Sequence, residues 1–192
     1  MPIRRYHLAL LAGALAALAA CTSSAGQDSR GAVATTAPSS QRAPAATMTV
    51  TSPAFKAGEA IPARYSCKGD NTSPPLIWSA PPAGTAELAL VVDDPDAPGG
   101  TFVHWVISGI PASLGGLASG EVPAAARQAR NSAGSGYTGP CPPSGSVHHY
   151  RFTVYALGRS AGVERDADPQ QAIAAIQAAA IAQGQLVGTF QT

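Results

Sequence analysis

Charge is scarce in this chain. Only 12% of its 192 residues are Asp, Glu, Lys or Arg, about half of the roughly 25% usual in soluble domains. Lys and Arg total 12 against 11 acidic side chains, a formal net charge of +1. No basic cluster follows the Arg4–Arg5 pair. Nucleic-acid binding needs a basic surface to neutralise phosphates, so that class is excluded. Aromatics are also few, at 6%, and the 45% hydrophobic content owes much to 40 alanines. Low charge combined with this hydrophobicity still excludes wholesale disorder. Gly and Pro together number 37, short of the roughly 25–30% that marks low-complexity chains. Internal repeats are absent. So are GxxxxGK[ST] and HExxH, which removes the usual support for P-loop nucleotide enzymes and zincins.

No apolar run is long enough for a comfortable membrane span. The longest, Leu8 to Ala20, has 13 residues; as a helix it covers roughly 20 Å against a hydrocarbon core of roughly 30 Å. With Arg4 and Arg5 ahead of it, residues 1–21 read as a secretory signal. The run ends Leu18-Ala19-Ala20-Cys21, which resembles a bacterial lipobox with Cys21 as the lipidated residue. Acyl chains anchor a protein by about 0.8 kcal/mol per buried methylene. Thr22, rather than Asp, after the cysteine resembles outer-membrane sorting. An ordinary signal peptide with an incidental cysteine is the alternative. Residues 22–46 are mostly Ser, Thr, Ala, Pro and Gly with scattered charge and Val33 as the one large aliphatic. Too little apolar surface is present there to offset ordering, so the segment reads as a flexible tether. The domain is then 47–192, of ordinary single-domain size.

Within it, β signals dominate. Leu88 to Val92 is a continuous apolar run, as expected of a strand buried on both faces. Phe102–Ser108, Tyr150–Leu157 and Leu186–Phe190 read as further strands, separated by Pro- and Gly-rich loops. One helix is well signalled: Asp168 as N-cap, Pro169 in the first turn, and Gln171 completing a capping box. Ile173, Ile176, Ala180 and Ile181 form its buried stripe, and Gly184 suits a left-handed stop. A second helix is expected over Ala124–Arg130. Cys67 and Cys141, exported to an oxidising compartment, either pair or remain buried thiols.

Polar groups gather in three places: Asp93-Asp94-Pro95-Asp96-Ala97-Pro98 after the first strand, His104-Trp105 within the second, and Gly136 to Tyr150. Strand alternation puts Phe102, His104 and Val106 on one face, with Val103, Trp105 and Ile107 on the other. It also aligns His148 with Tyr150 and leaves His149 and Arg151 facing solvent.

In this order, DPDAP (Asp94 to Pro98), His104-Trp105 and GYTGPCPPSGSVHHYRFTVYAL (Gly136 to Leu157) resemble the phosphatidylethanolamine-binding protein (PEBP) family, in its bacterial Raf-kinase-inhibitor-like branch. RYSCKGDNTSPPLIWS from Arg64 and QLVGTF from Gln185 add to the likeness, which spans nearly all of 48–190. The resemblance implies a mostly β fold, a Greek-key β-sandwich with one or two peripheral α-helices. It also implies a small anion-binding pocket lined by Asp94, Asp96, His104, Pro142, His148 and Tyr150, with Tyr137, Gly139 and Cys141 at the rim. Two departures lie beside this pocket. The family's usual His-Arg-Tyr is here His148-His149-Tyr150, with Arg151 following. Its Asn-Asp-Phe-Gly is here Asn131-Ser132-Ala133-Gly134.

The expected function is therefore binding rather than catalysis. An exported, lipid-anchored protein would take small anions or phospholipid headgroups, such as phosphate or phosphoethanolamine, with no cofactor and no metal. The alternatives are a protein-interaction module such as a protease inhibitor, a hydrolase using Ser144 or Ser146 with His148, and a metal site of Asp94, Asp96, His104 and His148.

Overall fold

A computed structural model of the chain describes residues 46–192. The expected signal, Cys21 and the tether up to Ala45 lie outside the described residues. Ala46, expected to close the tether, instead opens the first strand, β1 (Ala46–Thr47). Then come β2 (Val50–Thr51), a short 3-10 helix (Ala63–Tyr65), β3 (Leu76–Trp78), β4 (Glu87–Asp94) and β5 (Phe102–Pro111). After these follow β6 (Gly116–Leu117), β7 (Arg127–Gln128), β8 (Val147–Leu157), α1 (Pro169–Ala179) and β9 (Ala180–Gln191).

The expected mostly β class is the one observed. Six strands form one sheet in the order β1-β9-β8-β4-β5-β7, and three form a second in the order β2-β3-β6. Between the sheets lies the larger core. Leu76 and Trp78 of the small sheet meet Leu88, Leu90, Val92, Trp105 and Phe152 of the large one. The opposite face of the large sheet is covered by α1, whose Ala172, Ile176 and Ala179 pack with Ala89, Val91, Val103 and Val106. Leu88 to Val92 is thus buried on both faces, and that is why it shows no polar alternation. Each large aliphatic side chain buried this way contributes roughly 1.5–3 kcal/mol.

Helix α1 begins as its sequence directs. The Asp168 side chain accepts hydrogen bonds from the Gln170 and Gln171 amides at 3.0 and 3.1 Å. An Asp168→Ala variant should unfold about 1 kcal/mol more easily, the usual cost of an emptied N-cap; equal urea midpoints for variant and parent would refute that role. The helix ends differently from expectation. Ala180 is already extended, and Ile181 is 37% exposed on β9, so the buried stripe stops at Ala179. Gly184 is no helix stop, because it pairs with Val154 in the middle of the β8–β9 ladder.

The helix expected at Ala124–Arg130 does not form. Residues 127–128 pair with Ser108 and Ile107 of β5, and the Ala129 amide donates to the Val106 carbonyl. Open hydrogen-bonding groups on the edge of β5 are satisfied this way, which outweighs the helical preference of a short alanine run. Cys67 and Cys141 form a disulfide with Cα atoms 5.5 Å apart, across 74 positions of sequence. Constraining a loop of that size stabilises the fold by about 4 kcal/mol in the chain-entropy model.

Candidate functional site

The site forms where β4 ends and β8 begins. Residues 93, 92 and 91 of β4 pair with 151, 152 and 153 of β8, so Asp94 leaves the sheet beside the first residues of β8. Asp94 shares the face of Val92, and His148 and Tyr150 share that of Phe152, so all three side chains reach the same end of the large core. The 136–143 segment closes the space from the side.

A bulge places the fourth group. Asp93 opposes Val103 while Val92 opposes Trp105, leaving His104 as the extra residue of β5. A bulge bends its strand and re-aims a side chain. The simple alternation expected for β5 therefore fails across it. Phe102 and His104 do share a face, with ring centroids 4.7 Å apart. Val106, however, joins Val103 in the core beneath α1, while Trp105 and Ile107 join the core between the sheets.

These elements enclose a cavity of about 280 Å³. Asp94, His104, Pro142, His148 and Tyr150 line it, together with Gly139 and Cys141. Asp94 is buried and central. One carboxylate oxygen accepts the His148 Nδ1–H at 2.7 Å, and the other accepts the Asp96 amide at 2.8 Å. The Thr138 carbonyl accepts the His104 Nδ1–H at 2.5 Å. Because a carbonyl only accepts, this contact fixes the His104 tautomer and leaves Nε2 as the ring's remaining polar atom. His104 also stands edge-on to the Tyr150 ring, 5.2 Å between centroids.

Burial holds His104 below the ordinary histidine value of 6.5, partly offset by its bond to Thr138 and the charge of Asp94. The folded protein accordingly binds fewer protons here than the unfolded chain. This group's stabilising contribution is complete above about pH 6.5 and declines as pH falls through that value toward the folded pKa. Tyr150 is fully buried, and its hydroxyl meets no partner in good hydrogen-bond geometry, although the Cys141 backbone and the Asp94 carboxylate lie close to it. Burial, reinforced by the nearby negative Asp94, pushes its ionisation well above the ordinary phenol range, so the hydroxyl stays protonated.

Two expected site residues lie elsewhere. Asp96 does not line the cavity; its exposed carboxylate turns outward to accept both the amide and the ring Nδ1–H of His149, at 2.8 and 2.7 Å. The cause is local: Asp94 captures the Asp96 amide, which turns the chain away from the cavity. The bonds from His149 hold the Asp96 carboxyl below its ordinary range. Tyr137 is not at the rim either. It packs edge-on to Trp105 at 5.7 Å and donates to the Tyr65 carbonyl at 3.0 Å. His149 and Arg151 do face away from the cavity, and Arg151 forms a two-pronged ion pair with Asp93. That pair holds the guanidinium above its ordinary value.

Several contributors had no individual sequence signal. Phe102 and Thr138 line the cavity, Phe102 because the bulge turns it there. Asn131 is buried and supports the 136–138 segment by donating to the Gly136 carbonyl and the Thr138 hydroxyl, 2.7 and 3.0 Å away. A lone asparagine beside a Gly-rich stretch was the available hint. Ser144 and Ser146 do not line the cavity. Among the described residues, no three His, Cys, Asp or Glu side chains are grouped to hold a metal ion.

Comparison with known proteins agrees with this architecture. The sequence profile of the "Phosphatidylethanolamine-binding protein" family matches residues 51–191. Over 161 residues the chain is 52% identical to "Putative lipoprotein LppC" of Mycobacterium tuberculosis, covering 82% of this chain and 80% of that protein. A UPF0098 protein of Mycobacterium bovis is 48% identical over 146 residues, covering 75% of this chain and 70% of that one. The crystal structure of YbcL from E. coli, described as a member of the mammalian PEBP family, superposes with a TM-score of 0.72 at 34% identity. That match spans 76% of this chain and 98% of YbcL. The chain belongs to the phosphatidylethanolamine-binding protein family.

Proposed function

We propose that the cavity binds a small anion, free or as the phosphate of a phospholipid headgroup, and that the protein acts by binding rather than by catalysis. The Tyr150 hydroxyl carries this reading. Leaving a buried hydroxyl without a partner costs about 1–3 kcal/mol, and here that hydroxyl belongs to a residue of the cavity wall. A protonated phenol donates to an anionic oxygen. His104 Nε2 supplies a second donor once protonated, and Asp94 is suited to the ammonium end of phosphoethanolamine. The signal-like sequence with Cys21, and the name of the mycobacterial relative, support an exported lipoprotein. Among the described residues no helix is long and apolar enough to cross a membrane.

Titration calorimetry with phosphoethanolamine at about pH 5.5 and about pH 8 tests the proposal, with sulfate as an anion of constant charge across that range. An anion favours the imidazolium form of His104, so affinity should fall as pH rises through its titration. A Tyr150→Phe variant should bind at least tenfold more weakly, about 1.4 kcal/mol, while folding as stably as the parent or slightly more so. Equal affinity at both pH values, or no binding at either, removes the anion reading. Full affinity in Tyr150→Phe removes the role given to the hydroxyl.

A further inference from the structure

The disulfide has a position that its role as a staple does not require. Cys141 lines the cavity between Gly139 and Pro142, and both half-cystines are exposed to solvent. Exposed disulfides are the ones reached by attacking thiolates, whereas buried ones resist reduction.

Its two ends differ in how firmly they are held. Cys67 follows the 3-10 helix in a tight turn. The Ser66 hydroxyl donates to the Ala63 carbonyl and accepts the Lys68 amide, and the Gly69 amide donates to the Ser66 carbonyl. Cys141 lies in an irregular segment outside every strand. Pro140, Pro142 and Pro143 have no amide hydrogen, so they cannot donate to a neighbour. Besides the disulfide and a local turn in which the Ser146 amide donates to the Pro143 carbonyl at 3.0 Å, hydrogen bonds tie this segment to the rest of the fold. The Gly139 amide donates to Asn71 Oδ1 at 2.8 Å, the Cys67 amide to the Pro140 carbonyl at 3.1 Å, and the Thr192 hydroxyl to the Pro142 carbonyl at 2.8 Å. Breaking the S–S bond therefore leaves the cavity side held by these hydrogen bonds without its covalent tie, while the turn around Cys67 keeps its own.

We infer that Cys67–Cys141 is a redox modification site for a dithiol reductant, whose reduction loosens the Gly139–Pro143 wall of the cavity and weakens ligand binding. A thiolate of the dithiol attacks one sulfur of the bridge, forming a mixed disulfide and releasing the other cysteine as a thiolate. The second thiol of the reductant then displaces the remaining cysteine. The dithiol leaves as a disulfide, and protonation leaves Cys67 and Cys141 as thiols, so two electrons and two protons are transferred. The binding half of this inference rests on the anion reading above; the wall movement does not.

The test compares the oxidised full chain with the same protein reduced by dithiothreitol and then reoxidised. Calorimetry with phosphoethanolamine gives affinity, and amide hydrogen exchange gives wall and sheet protection. Reduction should lower affinity at least tenfold and reversibly. The Gly139 amide, held by Asn71 Oδ1, should exchange faster, while in the same reduced protein the β8 amides from Phe152 to Leu157 stay far better protected than Gly139, their slower loss reporting only the lower global stability. Unchanged exchange at Gly139 overturns the inference. So does β8 exchange as fast as that of Gly139 in the reduced protein, which would mean that the whole fold opens, and so does equal affinity in both redox states. If the oxidised protein binds no phosphoethanolamine, the anion reading fails alone, and the exchange at Gly139 decides this one. A Cys67→Ser/Cys141→Ser variant should match the reduced protein in both measurements, separating loss of the bond from effects of the reductant.

Discussion

An Asp94→Ala variant is expected to unfold about 3–4 kcal/mol more easily than the parent, because removing one member of a buried, hydrogen-bonded pair leaves the other without compensation. The Asp94 and His148 side chains are 5% and 7% exposed. Water therefore cannot readily replace the lost carboxylate. The Asp96 amide loses its acceptor in the same step, which releases the loop carrying Ala97 and Pro98 at the cavity wall. Asp94→Asn should cost less, since its amide oxygen still accepts from Asp96. Its NH2 group, however, now confronts the His148 Nδ1–H, and His148 must change tautomer. Urea denaturation of the two variants separates these terms. A loss below about 1 kcal/mol in Asp94→Ala would show that the pair is not the buried hub that its geometry indicates.

Gly184→Ala is the second change with a large expected effect, about 3 kcal/mol, at the upper end of overpacking costs. A β-carbon there would stand 2.7 Å from the Met48 carbonyl carbon and closer still to its oxygen. Met48 cannot simply move, because its amide donates to the Gln183 carbonyl at 2.8 Å and its side chain is buried in the core between the sheets. Relief requires β9 to separate from the segment joining β1 to β2. A thermal unfolding midpoint for Gly184→Ala equal to that of the parent would refute this. Gly158 is a useful contrast, since the nearest atom to its added β-carbon is the Cγ2 methyl of the partly exposed Ile181 side chain, 2.9 Å away, and the nearest backbone atom is 4.0 Å away. The corresponding Gly158→Ala change should be milder.

Gly184 also shows where sequence reading reaches its limit. A glycine a few residues after a helical pattern is indistinguishable, in one dimension, from a helix stop. The structure uses it for close approach of two backbones, which depends on a partner more than 130 positions away in sequence. The second expected helix failed for the same kind of reason. Alanines at 124–126 favour a helix locally, but the open edge of β5 offers hydrogen bonds that only the folded sheet presents.

The candidate site divides along the same line. Asp94, His104, His148 and Tyr150 were legible because each lies in a short segment dense in polar groups or punctuated by Pro and Gly. His148 and Tyr150 keep strict two-residue alternation within β8, so their common direction followed from spacing alone. His104 did not follow from spacing, since a bulge beside it resets the alternation and sends Val106 to the opposite core. Asp96 and Tyr137 carried equally strong sequence signals, yet hydrogen bonds to His149 and Tyr65 hold them outside the cavity.

By itself the sequence determined the elements governed by near neighbours: the doubly buried strand at Leu88–Val92, the Asp168 cap, and the polar segments at the strand ends. Tertiary structure alone decided which of those polar groups face one another, that Cys67 joins Cys141, and that the Tyr150 hydroxyl is buried without a well-aligned partner. Local propensity and alternation act over a few residues along the chain. Register, bulges and burial are set by contacts between strands far apart in sequence, and these determine where each side chain finally points.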